Sequence, residues 1–229
     1  MSVAPDYLPT VRGFFDRQYT AHERYWWRGP NRYSTDPAQH TAYNAAWLAA
    51  AVQRGPGRAL DLGSGEGADA IKLARLGYQV DTVDVSAVAC EKAERFARTE
   101  RTPITVRCEP IETAILTGPY DIVLMNGSLH YVHDKGSLLA RAAAASAEDA
   151  VHAVALFSTA TPVPVEHAVI PVFPDQEGGT VEQFYGGWRP LFHARERGRS
   201  EHSHPGFAPH VHSYVKLVAA RVSGRSAAR

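Results

Sequence analysis

The chain has 229 residues, enough for one α/β domain with a substantial core and short for two. Its 24 basic and 24 acidic side chains cancel, with no basic stripe and no membrane-length apolar run, so we expect neither a nucleic acid nor a membrane as partner. The two cysteines, Cys90 and Cys108, lack metal or redox spacing, which favours reduced thiols and a cytoplasmic location.

The first 35 residues are rich in aromatic side chains. A helix is predicted over residues 7–27, with an apolar side formed by Val11, Phe14, Phe15 and Tyr19. This helix either packs on the domain as scaffold or forms a lid that excludes water from an active site. We favour the lid, and divide the chain into a lid segment, residues 1–35, and a catalytic domain, residues 36–229. The candidate lid contacts to substrate are Trp26, Trp27 and Tyr33.

The domain opens with a predicted helix. Asp36 as N-cap and Pro37 at the first helical position start it, and the Gly-Pro-Gly sequence after Arg54 stops it.

The next stretch, ALDLGSGEGADAIKLARLGYQVDTVDVS, organises the rest of the chain. It is predicted to form a buried parallel strand, a tight glycine turn, a helix ended by Gly77, and a second strand that carries Asp84 near its carboxyl end. The glycines let a ligand approach the backbone closely, and an acid ending the second strand can accept both hydroxyls of a ribose. The unit therefore predicts a nucleoside site. Its elements are residues 59–62, 63–67, 68–76 and 80–85.

Three further helices and five further strands complete an alternating α/β pattern. Ser86 caps a helix, Asp134 caps another, and Thr180 opens a short one. The proline-rich residues 159–176 should form an extended insertion across the top of the sheet. The remaining predicted strands are residues 104–107, 120–125, 150–158, and a final antiparallel pair at 190–196 and 212–222.

The pattern DLGSGEG…VDTVDVS resembles the first two motifs of class I S-adenosylmethionine (AdoMet) methyltransferases. The resemblance implies that AdoMet is the cofactor, that Asp61 reaches its methionine ammonium, and that Asp84, followed by Val85, holds the ribose. It implies an acid after the third strand for the adenine amino group, which by position is Glu109. Pro110 has no N–H, so the adenine ring must be met by the N–H of Ile111 or Glu112, or the register is one off. Glu109 could also be a solvated loop acid. The methionine part would be lined by Gly63, Ser64, Gly65 and Gly67.

The string DIVLMNGSLHYVHD is similar to a run found in small-molecule methyltransferases. It follows a strand that ends at the same sheet edge as Asp84, so Asn126, His130 and Tyr131 are the candidate catalytic residues, Asn126 also bordering the cofactor. The other interpretation of His130 is a helix-start residue hydrogen-bonded to backbone, since methyl transfer often needs only alignment.

Over residues 58–222 the chain resembles tellurite-resistance and thiopurine-type methyltransferases, through the glycine stretch, FYGGW and the closing hairpin. The implied fold is a Rossmann-like doubly wound seven-stranded sheet in the order 3-2-1-4-5-7-6, with strand 7 antiparallel. Tyr33 falls where such enzymes place a lid tyrosine. The resemblance also implies that basic residues of the hairpin, here Arg199, His202 and His204, lie near the acceptor, and Tyr185 is a further candidate substrate contact. The hairpin histidines lack an acid or cysteine that completes a familiar metal geometry, so no metal is expected.

The expected function is AdoMet-dependent methyl transfer to a small molecule. Two alternatives stay open. The same cradle could serve aminocarboxypropyl transfer or intramolecular cyclisation, both of which release methylthioadenosine, or the chain could be a non-catalytic AdoMet-binding module. The acceptor and the oligomeric state cannot be inferred from the sequence.

Overall fold

A computed structural model describes residues 6–26, 29–164, 169–201 and 209–222. Its centre is one seven-stranded sheet in the order β3-β2-β1-β4-β5-β7-β6, in which β7 runs antiparallel to both of its neighbours. The predicted fold is therefore confirmed. The strands are β1 Arg58–Leu62, β2 Gln79–Asp84, β3 Thr105–Cys108, β4 Tyr120–Asn126, β5 Ser146–Phe157, β6 Arg189–Glu201 and β7 His210–Ala220.

Helices flank both faces of this sheet. They are α1 Leu8–Ala21, α2 Ala42–Arg54, α3 Ala68–Arg75, α4 Ala87–Thr99, α5 Lys135–Ala144 and α6 Thr180–Phe184, with short 3-10 turns at Pro37–Gln39, Leu129–Tyr131 and Tyr185–Gly187. Within the described ranges, no helix combines the length and the apolar character needed to cross a bilayer.

Along the central strands, successive side chains alternate between the two faces of the sheet, which divides the core into two clusters. Ile122 and Leu124 of β4 face a cluster that contains Trp47 of α2, whereas Val123 and Met125 face a cluster that contains Leu139 of α5. Successive strand side chains point to opposite faces, so the apolar residues 122–125 of one strand fill both halves of the core. The carboxyl ends of β1, β2 and β4 are thereby held rigidly at one edge.

The helix predicted from Asp36 to Arg54 is wrong in its first part. Asp36 caps only a single 3-10 turn, through a 3.0 Å hydrogen bond from the Ala38 N–H. The chain then becomes extended at His40, and the Thr41 hydroxyl caps α2. Two capping signals lie close together here, and the second one starts the long helix because extended backbone at His40 separates them.

The first helix is also shorter than predicted, ending at Ala21 instead of residue 27. The reason is the buried Glu66 carboxylate in the glycine turn, which accepts the backbone N–H groups of Tyr25 and Trp26 at 3.0 Å. N–H groups bound to Glu66 are not available for i→i−4 bonds, so residues 22–26 leave the helix and run toward the turn.

The described parts of the proline-rich segment, residues 159–164 and 169–176, lie at the same sheet edge as the glycine turn. The Thr159 N–H donates to Asp175 O at 2.9 Å, and the Phe173 N–H donates to His130 O at 2.6 Å. These bonds connect the end of β5 with the loop after β4, and so place the segment beside the carboxyl ends of the strands.

Candidate active site

The glycine turn between β1 and α3 takes a shape that only glycine fits well. Gly63 has φ +75°, and a Cβ there would lie 2.3 Å from Ser128 Cβ; Gly65 has φ +51°, and its Cβ would lie 2.6 Å from Tyr19 Oη. Positive φ is strained for other residues, and neither position has space for a side chain. The Gly63 N–H donates to Val83 O at 2.8 Å, which fixes the turn on the end of β2.

Beside this turn is a cavity of about 400 Å³. It lies at the carboxyl ends of β1, β2 and β4, where open α/β sheets bind their ligands, and its size is within the roughly 300–1,000 Å³ typical of small-molecule sites. Its far wall comes from the strands β5 and β7, including Phe157, Tyr214 and Lys216, and its roof comes from α1.

Asp84 at the end of β2 lines the cavity and also ties two loops together. Its Oδ2 accepts the Gly65 N–H at 2.8 Å, and its Oδ1 accepts the Ser86 N–H at 2.9 Å. Burial raises the pKa of Asp84, and these hydrogen bonds act in the opposite direction. Each carboxylate oxygen has two lone pairs, so the side chain retains acceptor capacity for a ligand.

Two further acidic side chains, Asp61 and Asp69, lie close together at the end of β1. Asp69, in the first turn of α3, is bound by Lys72 Nζ at 2.6 Å and by Asn126 Nδ2 at 2.8 Å. Burial, then the nearby charges of Asp69 and Asp84, raise the pKa of Asp61 well above its ordinary value. A cationic ligand group beside Asp61 would favour its ionised form.

Stacked aromatic rings form the opposite end of the cavity. His130, in the 3-10 turn after β4, stacks on Phe157 with ring centroids 3.8 Å apart, and Phe157 stacks in turn on His212 at 4.0 Å. Tyr131 meets the edge of Phe15 from α1 at 5.2 Å. This end is therefore flat and aromatic, and beside it lies Lys216, whose Nζ pairs with Glu196 at 2.8 Å.

The roof is fastened to the domain by polar contacts at both ends. In α1, Arg12 donates to Val85 O at 3.1 Å, and the Asp16 carboxylate accepts the Ser86 hydroxyl at 2.6 Å. Beyond α1, the buried Glu66 binds the backbone of residues 25 and 26 and lies 3.4 Å from Lys92 Nζ. Trp26 Nε1 donates to Tyr19 Oη at 3.2 Å.

Most predicted site residues lie around this one cavity. Those that line it are Asp61, Gly63, Ser64, Gly65, Asp84, Val85, Ile111, Asn126, His130, Tyr131 and Trp26. Gly67 lies just behind the lining, at the start of α3 with φ +75°. Trp27 and His202, like His204, lie outside the described residues.

Three predicted residues lie away from the cavity lining. Glu109 pairs with Arg107 at 3.4 Å, and Glu112 lines the cavity where an acid was expected. Tyr33 is buried against the outer side of α3, where its hydroxyl accepts a hydrogen bond from Arg24 at 2.7 Å. The Tyr185 hydroxyl is 2.7 Å from the ring of the buried His152, inside the core.

Sequence reasoning missed several lining residues. Glu112, which was expected to contribute only its N–H, brings its side chain to the lining three residues beyond the expected acid. Asp69 had a signal, since it is an acid in the first turn after the glycines. Tyr43 and Asn44 lie on the same buried face of α2 as Trp47, so the sequence pattern does not distinguish them from core residues.

The fold and this edge define a nucleoside-binding α/β protein. A family model described as a methyltransferase domain matches residues 37–199, and the chain belongs to that family. The class I family fold uses AdoMet as cofactor, and the residues present fit it. The glycine positions form a cradle that a Cβ would fill, and the buried Ser64 hydroxyl in the lining has no hydrogen-bond partner in the part of the chain described.

Two curated relatives match part of the chain. It is 35% identical over 98 residues to a ubiquinone biosynthesis O-methyltransferase of Rhodopseudomonas palustris (strain HaA2), covering 43% of this chain and 39% of that protein. It is also 35% identical over 86 residues to the tRNA 5-carboxymethoxyuridine methyltransferase of Escherichia coli (strain K12), covering 36% of this chain and 33% of that protein. The chain thus spans less than half the length of these relatives.

Solved structures share the fold, among them the two that follow. TehB from Haemophilus influenzae superposes with TM-score 0.66 at 18% identity, covering 80% of this chain and 64% of that chain. The Burkholderia thailandensis 1,6-didemethyltoxoflavin-N1-methyltransferase, solved with bound 1,6-didemethyltoxoflavin and S-adenosylhomocysteine, also has TM-score 0.66 at 18% identity, covering 97% of this chain and 93% of that chain. The expected resemblance to tellurite-resistance proteins is confirmed at the level of the fold.

Proposed function

We propose that this protein transfers the sulfonium methyl group of AdoMet to a small-molecule acceptor. The observation that carries the proposal is one continuous cavity, lined at one end by Asp61 and Asp84 and at the other by Phe157 and Lys216, under an aromatic roof. The acidic end suits a nucleoside with an amino-acid tail, and the aromatic end offers a separate place for an acceptor.

The cofactor contacts follow from this arrangement. Asp84 accepts the ribose hydroxyls, Asp61 meets the methionine ammonium, and the glycine turn borders the methionine chain. Ile111 and Glu112 line the wall beyond Val85, so we assign the adenine end to them in place of Glu109.

Bound AdoMet supplies a methyl group activated by the adjacent positive sulfur. The chain's own residues align the acceptor and exclude water. His130 is fixed by its stack on Phe157, and Tyr131 is held against Phe15 of the roof, so both shape the acceptor end. Asn126, whose Nδ2 donates to Asp69, borders both the acidic end and the aromatic end of the cavity. We therefore assign the rate enhancement to proximity and desolvation.

The lid hypothesis is part of this proposal: residues 1–35 cover a domain formed by residues 36–229. It is supported by the α1 side chains Val11, Phe14 and Phe15 in the cavity lining. Because an aromatic roof covers the cavity, a compact acceptor fits better than an RNA.

Two further observations bear on partners and location. Arg195 and Arg197 of β6 are paired with Glu182 and Glu177, so their charge is compensated on that strand. This favours a small molecule over a nucleic acid. Free thiols at Cys90 and Cys108 support our proposal of a reducing, cytoplasmic location.

The test is transfer of label from methyl-labelled AdoMet to a panel of phenols, carboxylic acids, heterocyclic amines and thiols, with bulk tRNA as a separate arm. Label in a small acceptor supports the proposal. Label in tRNA alone contradicts the acceptor class, and no transfer to any acceptor by a protein that binds AdoMet favours a binding module.

A further inference from the structure

Tyr43, in the first turn of α2, carries a buried hydroxyl that the fold leaves unused. The residue is 4% exposed, it lines the cavity, and its Oη has no hydrogen-bond partner in the described ranges. A buried polar group without a partner costs free energy and calls for an explanation, and a ligand in the adjoining cavity would supply the missing partner.

The ring of Tyr43 is held firmly, so the hydroxyl has a fixed place. Thr41 caps the helix just before it, Trp47 packs one turn later with no exposed surface, and the ring lies edge-on to Phe192 at 6.0 Å. The hydroxyl contributes nothing to this packing, since a phenylalanine would fill the same space.

The surroundings identify the chemistry of the missing partner. Burial, then the nearby carboxylates of Asp69 and Asp61, raise the pKa of Tyr43 well above its ordinary value, so the group stays a neutral phenol and offers a proton. The Ser64 hydroxyl is a second buried group in the same lining without a described partner. Two hydroxyl donors beside an acid at Asp61 match a group that is both carboxylate and ammonium.

We propose that Tyr43 is a cofactor-binding residue that donates its hydroxyl to the carboxylate of the AdoMet methionine end, together with Ser64. Asp61 receives the ammonium of the same amino acid, and Lys72 balances the second carboxylate, Asp69, at 2.6 Å. α2 thereby selects ligands that carry the complete amino-acid end.

The test compares Tyr43→Phe with the wild type by calorimetric titration of two ligands, AdoMet and decarboxylated AdoMet, which differ only in the carboxylate. The variant should bind AdoMet roughly tenfold more weakly, the size of one hydrogen bond to a charged group, and decarboxylated AdoMet unchanged. Its melting temperature without ligand should stay the same or rise, since an unpaired polar atom is removed.

Tyr78→Phe is the matched control. Its hydroxyl is buried behind the same helix and donates to Ala51 O at 2.8 Å. This variant should melt a few degrees lower, by about 3 °C for 1 kcal/mol, and keep the affinity for both ligands.

Each other result counts against Tyr43 in this role. Equal weakening for both ligands would make it a wall residue, and unchanged AdoMet affinity would remove it from the contact. Wild-type protein that binds neither ligand would contradict the AdoMet site itself, which separates that failure from failure of the Tyr43 assignment.

Discussion

Replacing Asp84 should weaken cofactor binding and, separately, loosen the glycine turn. The two carboxylate oxygens already accept the Gly65 and Ser86 N–H groups at 2.8 and 2.9 Å. With Asp84→Ala, both N–H groups lose a charged acceptor. Water in the cavity can replace part of it, so we expect a stability loss of roughly 2–4 kcal/mol. The ribose hydroxyls lose the same acceptor, which should cost roughly 2–3 kcal/mol of binding, or about 30- to 150-fold in Kd.

The assay is calorimetric titration of S-adenosylhomocysteine into Asp84→Asn, which keeps the side-chain volume, alongside urea unfolding of each variant. Asp81→Asn is the matched control on the same strand. Its carboxylate binds Arg58 at 3.0 Å and Tyr120 at 2.7 Å, away from the cavity lining, so this variant should lose stability and keep its affinity. A folded Asp84→Asn protein whose Kd is within about threefold of wild type would refute the ribose assignment, since an uncharged acceptor should cost more.

Three further predictions concern the roof, the core and the acidic end. Glu66→Gln removes the charge that binds the Tyr25 and Trp26 N–H groups and pairs with the buried Lys92. The free energy of unfolding should fall by roughly 3 kcal/mol, and hydrogen exchange of residues 22–26 should rise. Unchanged exchange would show that Glu66 does not hold the roof. Burial lowers the pKa of His152 to about 3, so folding releases its proton between about pH 3 and 6.5. The free energy of unfolding of the wild type should therefore fall by up to about 1.4 kcal/mol per pH unit as the pH falls through that range. In acid unfolding, His152→Phe should show a shallower slope. The raised pKa of Asp61 predicts that S-adenosylhomocysteine binding weakens more steeply on acidification than methylthioadenosine binding, which involves no ammonium and responds only through Asp84. Parallel pH profiles would contradict the Asp61 contact.

The glycine stretch was predictable because its physics is local. Strand, positive-φ turn, helix and acid follow each other in the sequence, and Asp61 and Asp84 end neighbouring parallel strands that pair Leu62 with Val83. Any sheet built from such units brings these acids to one edge. The sheet order came from the family resemblance and is confirmed.

The direction in which isolated aromatic residues point was not predictable. Tyr33 and Tyr185 lie in aromatic, glycine-containing stretches that suggest contact with substrate, yet one packs behind α3 and the other bonds to a core histidine. Tyr43 shows the converse, since it lies on a helix face that is typical of core residues and yet it lines the cavity. Only tertiary packing decides which end of such a side chain reaches a site.

The end of the first helix had a similar cause. No local signal stops it at Ala21, because the acceptor that draws the following backbone away is Glu66, more than 40 residues further along the chain. A buried carboxylate between two glycines is nonetheless a signal worth noting, since such a group needs donors from elsewhere in the fold.

The most direct measurement is the identity of the nucleoside left after turnover. The protein would be incubated with AdoMet, first alone and then with each acceptor that takes up label, and the quenched mixture resolved by mass. Methyl transfer predicts S-adenosylhomocysteine that appears only with acceptor and in equal amount to the methylated product. Protein-dependent methylthioadenosine formed without acceptor, above the spontaneous background, would contradict methyl transfer and assign the cavity to cleavage of a different S–C bond.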